Sequence, residues 1–376
     1  MKNGIEKRGA SYSYAIRVPD SRTGKTKLKK VGGFATEKEA KVERAKALIS
    51  LSKDQYVEPS RMTLEEFLLL WFQSNPPAKA LTRESYQKMI RNYLNPHLGK
   101  IPVTRLKPTD IQRMNLELKT KGGKSGTGLS DRTVKYANAI LSSALKYGVE
   151  VEGILSSNVA TRVRLKKGES QRFDLFTKEE MSRFLEGVAD HRLYALYYLA
   201  HSSGARLGEL LALRWSDLVW EEMSLSISKN RVQVTGEVIE QNSTKGGDGR
   251  RVIYLDPKTV EILRAHRRQQ VEEKLLAGSE WNEGGFIFTN QFGKPIGNGT
   301  PSHLFQSIRK GLGLPPQRFH DLRHFHATTQ LEAGVPLHVV SARLGHRDAM
   351  VTATIYAHVT DQQARTAGLI FAKAME

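Results

Sequence analysis

The positive charge of this 376-residue chain is concentrated in its first 168 residues. Residues 1–61 contain 15 lysines and arginines against 7 acidic residues, and residues 62–168 contain 18 against 8, so their net charges are +8 and +10. Residues 169–376 have a net charge of only +1. Two small basic segments before a larger neutral one predict several domains. Such an asymmetry favours a polyanionic partner, usually double-stranded DNA, over a role in solubility alone.

Several classes of protein are excluded by composition. The chain contains no cysteine, which excludes disulfides, thiolate zinc sites, iron–sulfur clusters and a cysteine nucleophile. Apolar runs such as the one from Phe67 to Phe72 are far too short to span a membrane, and no apolar signal segment follows the first residues. No P-loop or dinucleotide fingerprint is present. We therefore expect a cytoplasmic protein that has no membrane partner and no nucleotide cofactor.

The first segment is predicted to form a small sheet-plus-helix module. Residues 9–34 alternate in the manner of short strands, and Thr36-Glu37-Lys38-Glu39 has the capping-box pattern of a helix that ends near Ser52. Tyr12 and Tyr14 are interleaved with basic residues of the strands. A sheet face of this kind can lie in a DNA groove, although a solvated basic surface explains this segment equally well.

Residues 62–150 are predicted to be helical. Thr63-Leu64-Glu65-Glu66 is a second capping box, and Leu64, Phe67, Leu68 and Trp71 fall on one face of the helix that it begins. Further helices are predicted at about 82–94, 109–119 and 131–147. The basic stretch from Arg162 to Ser170 contains Gly and Ser and is predicted to be a linker.

The last segment is predicted to be mainly helical with a small antiparallel β insertion. Alternating runs at 224–228, 231–234, 237–241 and 250–255 indicate the strands, and helices are predicted on both sides of them, the last at about 361–373. The expected fold class is therefore α+β multidomain. A sheet-plus-helix module occupies residues 1–60, a helical domain 61–165, and a mainly helical domain with a β insertion 170–376.

Three histidines occur within seven residues at His320-Asp321-Leu322-Arg323-His324-Phe325-His326. His320 and His324 are one helical turn apart, which suggests a metal site, but the metalloprotease pattern needs a glutamate where Asp321 stands. Arg323 would repel a metal dication, and no carboxylate-rich helix offers a third ligand. An arginine and a histidine three residues apart near a helix start suit a phosphate anion better. A metallohydrolase is therefore the weaker interpretation.

Arg206 lies between Gly204 and Gly208, so the backbone can approach closely while the guanidinium points into a cleft. Glu209 follows three residues later and could brace a neighbouring donor. Taken alone, this segment is better explained as a helix start with a surface arginine.

Two further positions carry reactive groups. Lys245 is the only lysine between Lys229 and Lys258 and lies in a Gly-rich turn, where a lysine is usually just solvated. Leu344-Gly345-His346 is followed ten residues later by Tyr356 in Thr354-Ile355-Tyr356-Ala357-His358. A tyrosine in such a helix is more often a core or surface residue than a nucleophile.

Taken together and in order, these motifs resemble those of the tyrosine recombinases, also called phage integrases. The matching positions are Arg206, Lys245, His320-x-x-Arg323, Leu344-Gly345-His346 and Ile355-Tyr356-Ala357-His358. Residues 9–52 are similar to the arm-type DNA-binding domain of the longer integrases, and residues 62–165 to their helical core-binding domain. The chain departs from the family where Val159 replaces a frequent proline after Asn158, and where Gly246-Gly247 follow Lys245.

The resemblance implies a role for each matching residue. Tyr356 would attack a DNA phosphodiester, and Arg206, Arg323 and His346 would stabilise the charge that develops on the phosphate oxygens. His320 would take the proton of Tyr356, and Lys245 would protonate the departing 5′-oxygen. Glu209 would orient its neighbours. His324, His326 and His358 are expected to be structural, and neither a metal nor another cofactor is expected.

The resemblance also implies partners. These are double-stranded DNA at arm-type and core-type attachment sites, three further copies of the chain in a tetramer on DNA, an excisionase and a host DNA-bending protein. A type IB topoisomerase is a rival interpretation, but DNA relaxation needs no separate basic module at the N-terminus. A non-catalytic DNA-binding regulator is a second rival, although such a protein is expected to lose at least one motif.

Overall fold

The computed structural model describes residues 4–19, 26–52, 61–123, 126–165, 175–234, 237–242, 250–346 and 375. The chain divides into two compact units, Met1–Ser170 and Gln171–Glu376, and each is described by itself. In the residues given above, no helix is both long enough and apolar enough to cross a membrane.

The described residues of the N-terminal module form a three-stranded antiparallel sheet and one helix. The sheet has the order β1-β2-β3, and its strands and helix are β1 Ile5–Arg8, β2 Ser11–Pro19, β3 Thr26–Phe34 and α1 Glu37–Ser52. The backbone N–H of Glu39 donates to the Thr36 side chain, as the predicted capping box requires. The Glu39 side chain, however, accepts from the backbone N–H of Ala35 instead of that of Thr36. The strand β1 was not predicted, because it has four residues of which only Ile5 is apolar.

The two tyrosines of β2 lie on the face of the sheet that packs against α1. Tyr14 is only 4% exposed, stacks on Phe34 with ring centroids 5.5 Å apart, and packs in one cluster with Ala40 and Ala47 of α1. The interpretation of Tyr12 and Tyr14 as part of a basic, groove-facing surface is therefore wrong for Tyr14, and Tyr12 is half-buried at the edge of the same cluster. Since side chains alternate along a strand, the opposite face carries residues such as the exposed Arg17.

A helical bundle follows within the same unit. Its helices are α2 Leu64–Ser74, α3 Ala80–Met89, α4 Asn95–Leu98, α5 Pro108–Lys121 and α6 Asp131–Glu150. The capping box at Thr63 and Glu66 forms, and the predicted apolar face of α2 is buried in the core. The predicted helix at 82–94 is confirmed as helical throughout, because α3 continues without a break into a π-helical turn at Ile90–Leu94 and then into α4.

Asn158 holds the chain after α6 without the proline that often follows it. Its side chain accepts from the N–H of Ala160 and donates to the carbonyl oxygen of Ser142 at 2.9 Å. Val159 therefore begins a short 3₁₀ turn, Val159–Arg162, that packs on the bundle.

The described part of the C-terminal unit is mainly helical and contains two small sheets. Its helices are α7 Lys178–Gly187, α8 Tyr194–Ser203, α9 Leu207–Leu210, α10 Pro257–Ala277, α11 Gly299–Gly311, α12 Asp321–Glu332 and α13 Leu337–Leu344. An aromatic core of Phe184, Tyr197, Phe305 and Phe319 connects α7, α8 and α11 with the segment before α12. The α+β multidomain prediction is confirmed in both units.

In the residues that the structure describes, the predicted β insertion forms two separate sheets. The strands are β4 Leu218–Val219, β5 Ser224–Ile227, β6 Lys229–Val234, β7 Glu237–Asn242 and β8 Arg251–Tyr254, arranged as a sheet β4-β5-β8 and a hairpin β6-β7. The hairpin lies against α9, since a Cβ on Gly208 would clash with the Asn230 side chain. Lys245 falls between β7 and β8 in the sequence and lies outside the described residues. The predicted helix at 361–373 also lies outside the described residues.

Candidate active site

The turn between α8 and α9 places Arg206 at the start of α9. Helix α8 ends at Ser203, and Gly204 turns the chain with a left-handed φ of +63°. The backbone N–H of Arg206 donates to Glu209 at 2.9 Å, which caps α9, and Nη1 of Arg206 donates to the same carboxylate at 2.9 Å. The Arg206 side chain stays 40% exposed while that of Glu209 is fully buried, so the turn presents the guanidinium beside a buried anion.

Glu209 is shared by two arginines. Nη2 of Arg251, the first residue of β8, donates to Oε2 of Glu209 at 2.7 Å, and Nη1 lies 3.3 Å from Oε1. Burial by itself would raise the pKa of Glu209, but hydrogen bonds and charge from Arg251, together with Arg206, lower this pKa to about 2. Glu209 is therefore ionised over the whole physiological range.

The predicted helix start at the histidine cluster is α12, which begins at Asp321 with His320 immediately before it. Arg323 lies in the first turn and is 4% exposed. Its Nη1 donates to the carbonyl oxygen of Gly204 and its Nη2 to that of Leu344, each at 2.8 Å. One guanidinium thus joins the turn after α8 to the end of α13.

His346 is placed by the C-terminal turn of α13. Gly345 has a left-handed φ of +67° and donates to Ala342, while the N–H of His346 donates to Ser341 at 3.0 Å. This is a Schellman motif, which positions the residue after the glycine. The glycine of Leu344-Gly345-His346 is thus required by its conformation.

Five of the predicted site residues are brought together: Arg206, Glu209, His320, Arg323 and His346. Partial burial, then the charges of neighbours that include Arg323 and Arg206, lower the pKa of His320 to about 4 and that of His346 to about 4. Both imidazoles are therefore neutral at pH 7, although they lie beside two fixed cations. A cluster with this charge binds an anion, and a neutral imidazole can accept a proton there.

The geometry of the histidine cluster does not indicate a metal. The rings of His320 and His324 meet edge to face with centroids 5.2 Å apart. In the described part of the chain, no three His, Asp or Glu side chains form a group that could hold a metal ion. Lys245, Tyr356 and His358 lie outside the described residues, so their predicted places in the site stay predictions.

Sequence reasoning missed Arg251, because Val252, Ile253 and Tyr254 are all hydrophobic and their alternation in burial cannot be read from the sequence. Val252 and Tyr254 are exposed, whereas Ile253 is 1% exposed, so alternation along β8 places Arg251 on the buried face together with Ile253. The adjacent Arg250 is exposed, and composition alone cannot distinguish the two arginines. Arg343 was missed as well, since it lies on a helix where an arginine is usually solvated.

Gly345→Ala tests the conformational role of this glycine. A Cβ at this position would lie 2.8 Å from Nη1 of Arg251, which three hydrogen bonds hold in place. We expect the free energy of unfolding to fall by about 1–2 kcal/mol for the left-handed backbone and by about 1 kcal/mol more for the contact. Gly334→Ala is the matched control, since Gly334 has φ +84° and no atom near its Cβ position. Urea denaturation should show a smaller loss for the control, and equal losses would contradict the contact with Arg251.

His326 is held between α8 and α13 in one protonation state. Its Nδ1 lies 3.0 Å from the carbonyl oxygen of His201, and its Nε2 accepts from Nε of Arg343 at 3.2 Å. Nδ1 must therefore carry the hydrogen and Nε2 must be unprotonated. Burial, with Arg343 beside it, lowers the pKa of His326 to about 3.

This geometry predicts a loss of stability in acid that His326→Gln should reduce. The unfolded chain protonates His326 below about pH 6.5 and the folded chain only near pH 3, so its contribution falls as the pH drops between these values. Between pH 7.5 and pH 4.5, we expect protonation of His326 in the unfolded chain to lower the free energy of unfolding by about 2–3 kcal/mol. Glutamine keeps one donor and one acceptor but does not titrate. Urea denaturation of the intact protein at both pH values measures the difference, and parallel losses in variant and wild type would rule out this role of His326.

Comparison with known protein families assigns each part of the chain. Residues 174–363 match the phage integrase family, residues 3–50 an Arm DNA-binding domain, and residues 63–118 the N-terminal SAM-like domain of phage integrases. A relative described as tyrosine recombinase XerC-like, from Caldanaerobacter subterraneus subsp. tengcongensis, is 31% identical over 96% of this chain and 95% of its own length.

Solved structures show the same fold. The Tn1549 transposon integrase in complex with a circular intermediate DNA covers 82% of this chain and 99% of its own, with a TM-score of 0.70 at 19% identity. The lambda integrase tetramer bound to a Holliday junction covers 94% of both chains, with a TM-score of 0.59 at 22% identity. The ordered motifs, the family match over half of the chain and the full-length relative lead to one conclusion: the chain belongs to the phage integrase family of tyrosine recombinases.

Proposed function

We propose that this protein is a site-specific DNA integrase that cuts and rejoins strands through a 3′-phosphotyrosyl intermediate at Tyr356. Family membership supports strand cleavage and rejoining as the reaction class. The observation that carries the proposal is the meeting of Arg206, Arg323, His320 and His346 from three separate parts of the C-terminal unit. Two fixed cations and two neutral imidazoles form a site for one phosphodiester.

In the proposed reaction, the hydroxyl oxygen of Tyr356 attacks phosphorus and the bond to the 5′-oxygen breaks. Arg206 and Arg323 stabilise the additional negative charge on the non-bridging oxygens, and His346 donates a hydrogen bond to them. This uses positive charge fixed in place before the reaction, which requires no rearrangement as the transition state forms. The energy of the phosphodiester is kept in the tyrosyl link, so rejoining needs no nucleotide.

His320 is proposed as the acceptor of the tyrosine proton and Lys245 as the donor to the departing 5′-oxygen. A tyrosine with its ordinary pKa near 10 is a poor nucleophile at neutral pH and needs such a base. The lowered pKa of His320 keeps its imidazole unprotonated before DNA binds. A bound phosphate raises that pKa, because an anion favours the protonated ring, and this makes His320 a better base in the complex.

The proposed division of labour follows the domains. Residues 1–60 bind arm-type sites, residues 61–165 the core site, and residues 170–376 carry out catalysis. The matches to an Arm DNA-binding domain and a SAM-like domain support the first two assignments. Two linked DNA-binding modules raise each other's effective concentration on a DNA that carries both sites.

The proposed assembly is a tetramer on DNA, with one subunit for each cleaved strand. The lambda integrase tetramer bound to a Holliday junction supports the proposed number of subunits. An excisionase and a host DNA-bending protein are proposed to set the direction of recombination. With DNA as the substrate, we place the protein at the nucleoid of a bacterial host. The element that it moves is a prophage or a conjugative transposon.

The proposal is tested by trapping the covalent intermediate. The substrate is a duplex from the flanks of the encoding element, nicked beside the cleavage position so that the released fragment diffuses away. We expect a protein–DNA adduct that resists SDS, forms equally in EDTA and disappears after protease digestion. No adduct on any flanking duplex would overturn the proposal, and a strict metal requirement would restore the metallohydrolase interpretation. Relaxation of plasmids that lack the flanking sites would favour the topoisomerase.

A further inference from the structure

Arg251 connects three parts of the proposed catalytic site. Its Nη2 and Nη1 contact the Glu209 carboxylate at 2.7 and 3.3 Å, and its Nε donates to the carbonyl oxygen of Arg343 at 2.8 Å. Arg343 lies in the last turn of α13, three residues before His346. The Arg251 side chain is 8% exposed, so these contacts are made away from solvent.

The charges around Glu209 explain why a second arginine is needed. Glu209 accepts hydrogen bonds from both the backbone N–H and Nη1 of Arg206. The Glu209 side chain is completely buried, with 0% exposure to solvent. Without Arg251, the charge of the buried carboxylate would offset that of Arg206, and this pair would carry no net charge. With Arg251 present, the group of three has a net charge of +1, so Arg206 keeps positive charge for an anion.

We propose that Arg251 is a positioning residue for DNA cleavage, which holds Glu209 and takes up its charge so that Arg206 acts on the scissile phosphate. The inference rests on the proposed function. The hydrogen bond from Arg251 to the carbonyl oxygen of Arg343 also fixes the end of α13, because this carbonyl belongs to the last turn of the helix. Arg251 acts through Arg206 and His346 and is not proposed to touch the DNA.

The test compares a charged with a neutral scissile phosphate. Arg251→Met and wild type are measured in single-turnover cleavage of bound, nicked duplex with either a phosphodiester or a methylphosphonate at the cleavage position. A methylphosphonate has no negative charge for Arg206 to balance. We expect Arg251→Met to cleave the phosphodiester about 100-fold more slowly but the methylphosphonate less than about fivefold more slowly, with DNA affinity within about twofold of wild type.

A second pair of variants tests the link through Glu209. If unshared carboxylate charge causes the defect, Arg251→Met combined with Glu209→Gln should cleave the phosphodiester at least about tenfold faster than Arg251→Met alone. Arg268→Met is the matched control, since it removes the same charge from an exposed position on α10 and should leave both rates unchanged. If Arg251→Met does not fold, Arg251→Lys takes its place in the same comparison. We expect Arg251→Lys to cleave the phosphodiester about tenfold more slowly than wild type and the methylphosphonate at an unchanged rate.

Equal losses on the two substrates would overturn the inference, because a merely structural residue does not distinguish them. An undiminished rate in Arg251→Met, or no recovery in the double variant, would overturn it as well. In each of these cases wild type still forms the adduct, so the proposed function stands. Wild type that forms no adduct with either substrate overturns the proposed function itself.

Discussion

Tyr356→Phe is expected to abolish the covalent protein–DNA adduct on a nicked duplex while leaving DNA binding unchanged. The substitution removes only the hydroxyl oxygen that is proposed to attack phosphorus, and phenylalanine has no other atom that can form a phosphoester. Loss of a nucleophile lowers the rate by at least about 10⁴-fold in enzymes of this kind, which puts the adduct below detection. SDS gels measure the adduct, and gel-shift titration measures the affinity for the same duplex.

Tyr254→Phe is the matched control for this result. Tyr254 lies in β8, is 68% exposed and loses the same single oxygen atom. Its adduct should form at the wild-type rate, so that a general effect of removing a tyrosine hydroxyl is excluded. An adduct that persists in Tyr356→Phe would show that another residue is the nucleophile and would remove the basis for the roles of His320 and Lys245.

The sequence predicted elements whose beginnings are set by neighbouring residues. The predicted capping box at Thr63 forms as the pattern requires, and α2 begins directly after it. The structure has an equivalent capping box at Thr177 and Glu180, directly before α7. Such signals act over three or four residues and do not depend on the rest of the fold. The face on which Tyr14 lies was not predicted correctly, because it depends on α1, which is packed against the sheet from more than 20 residues away.

The candidate site shows the same difference between residues marked by a sequence motif and residues placed only by contacts between distant parts of the chain. Arg206, Glu209 and Arg323 were found because their motifs recur in one order in a family with a common chemistry. Arg251 belongs to no such motif, and its contacts with Glu209 and Arg343 join positions 42 and 92 residues away in the chain. Only the packing of β8 against α9 and α13 makes this arginine part of the site.

Arg206→Lys and Arg323→Lys are expected to slow cleavage strongly but to differ in stability. Both variants keep the positive charge, so the affinity for DNA should stay within a few fold of wild type. A lysine cannot hold a phosphate with two parallel N–H groups, and loss of one such donor costs about 10²–10³-fold in rate. We expect about 10²-fold for Arg206→Lys and about 10³-fold for Arg323→Lys, measured by single-turnover cleavage.

The difference in stability follows from what each arginine holds in the protein itself. Arg323 is 4% exposed and donates to the carbonyl oxygens of Gly204 and Leu344, and a lysine at this position can reach only one of them. One buried acceptor left without a donor costs about 1–3 kcal/mol, so the free energy of unfolding of Arg323→Lys should fall by about 2 kcal/mol. The Arg206 side chain is 40% exposed, and Arg251 continues to satisfy Glu209 when it is replaced. Arg206→Lys should therefore unfold within about 1 kcal/mol of wild type, and an equal loss in the two variants would show that Arg206 also has a structural role.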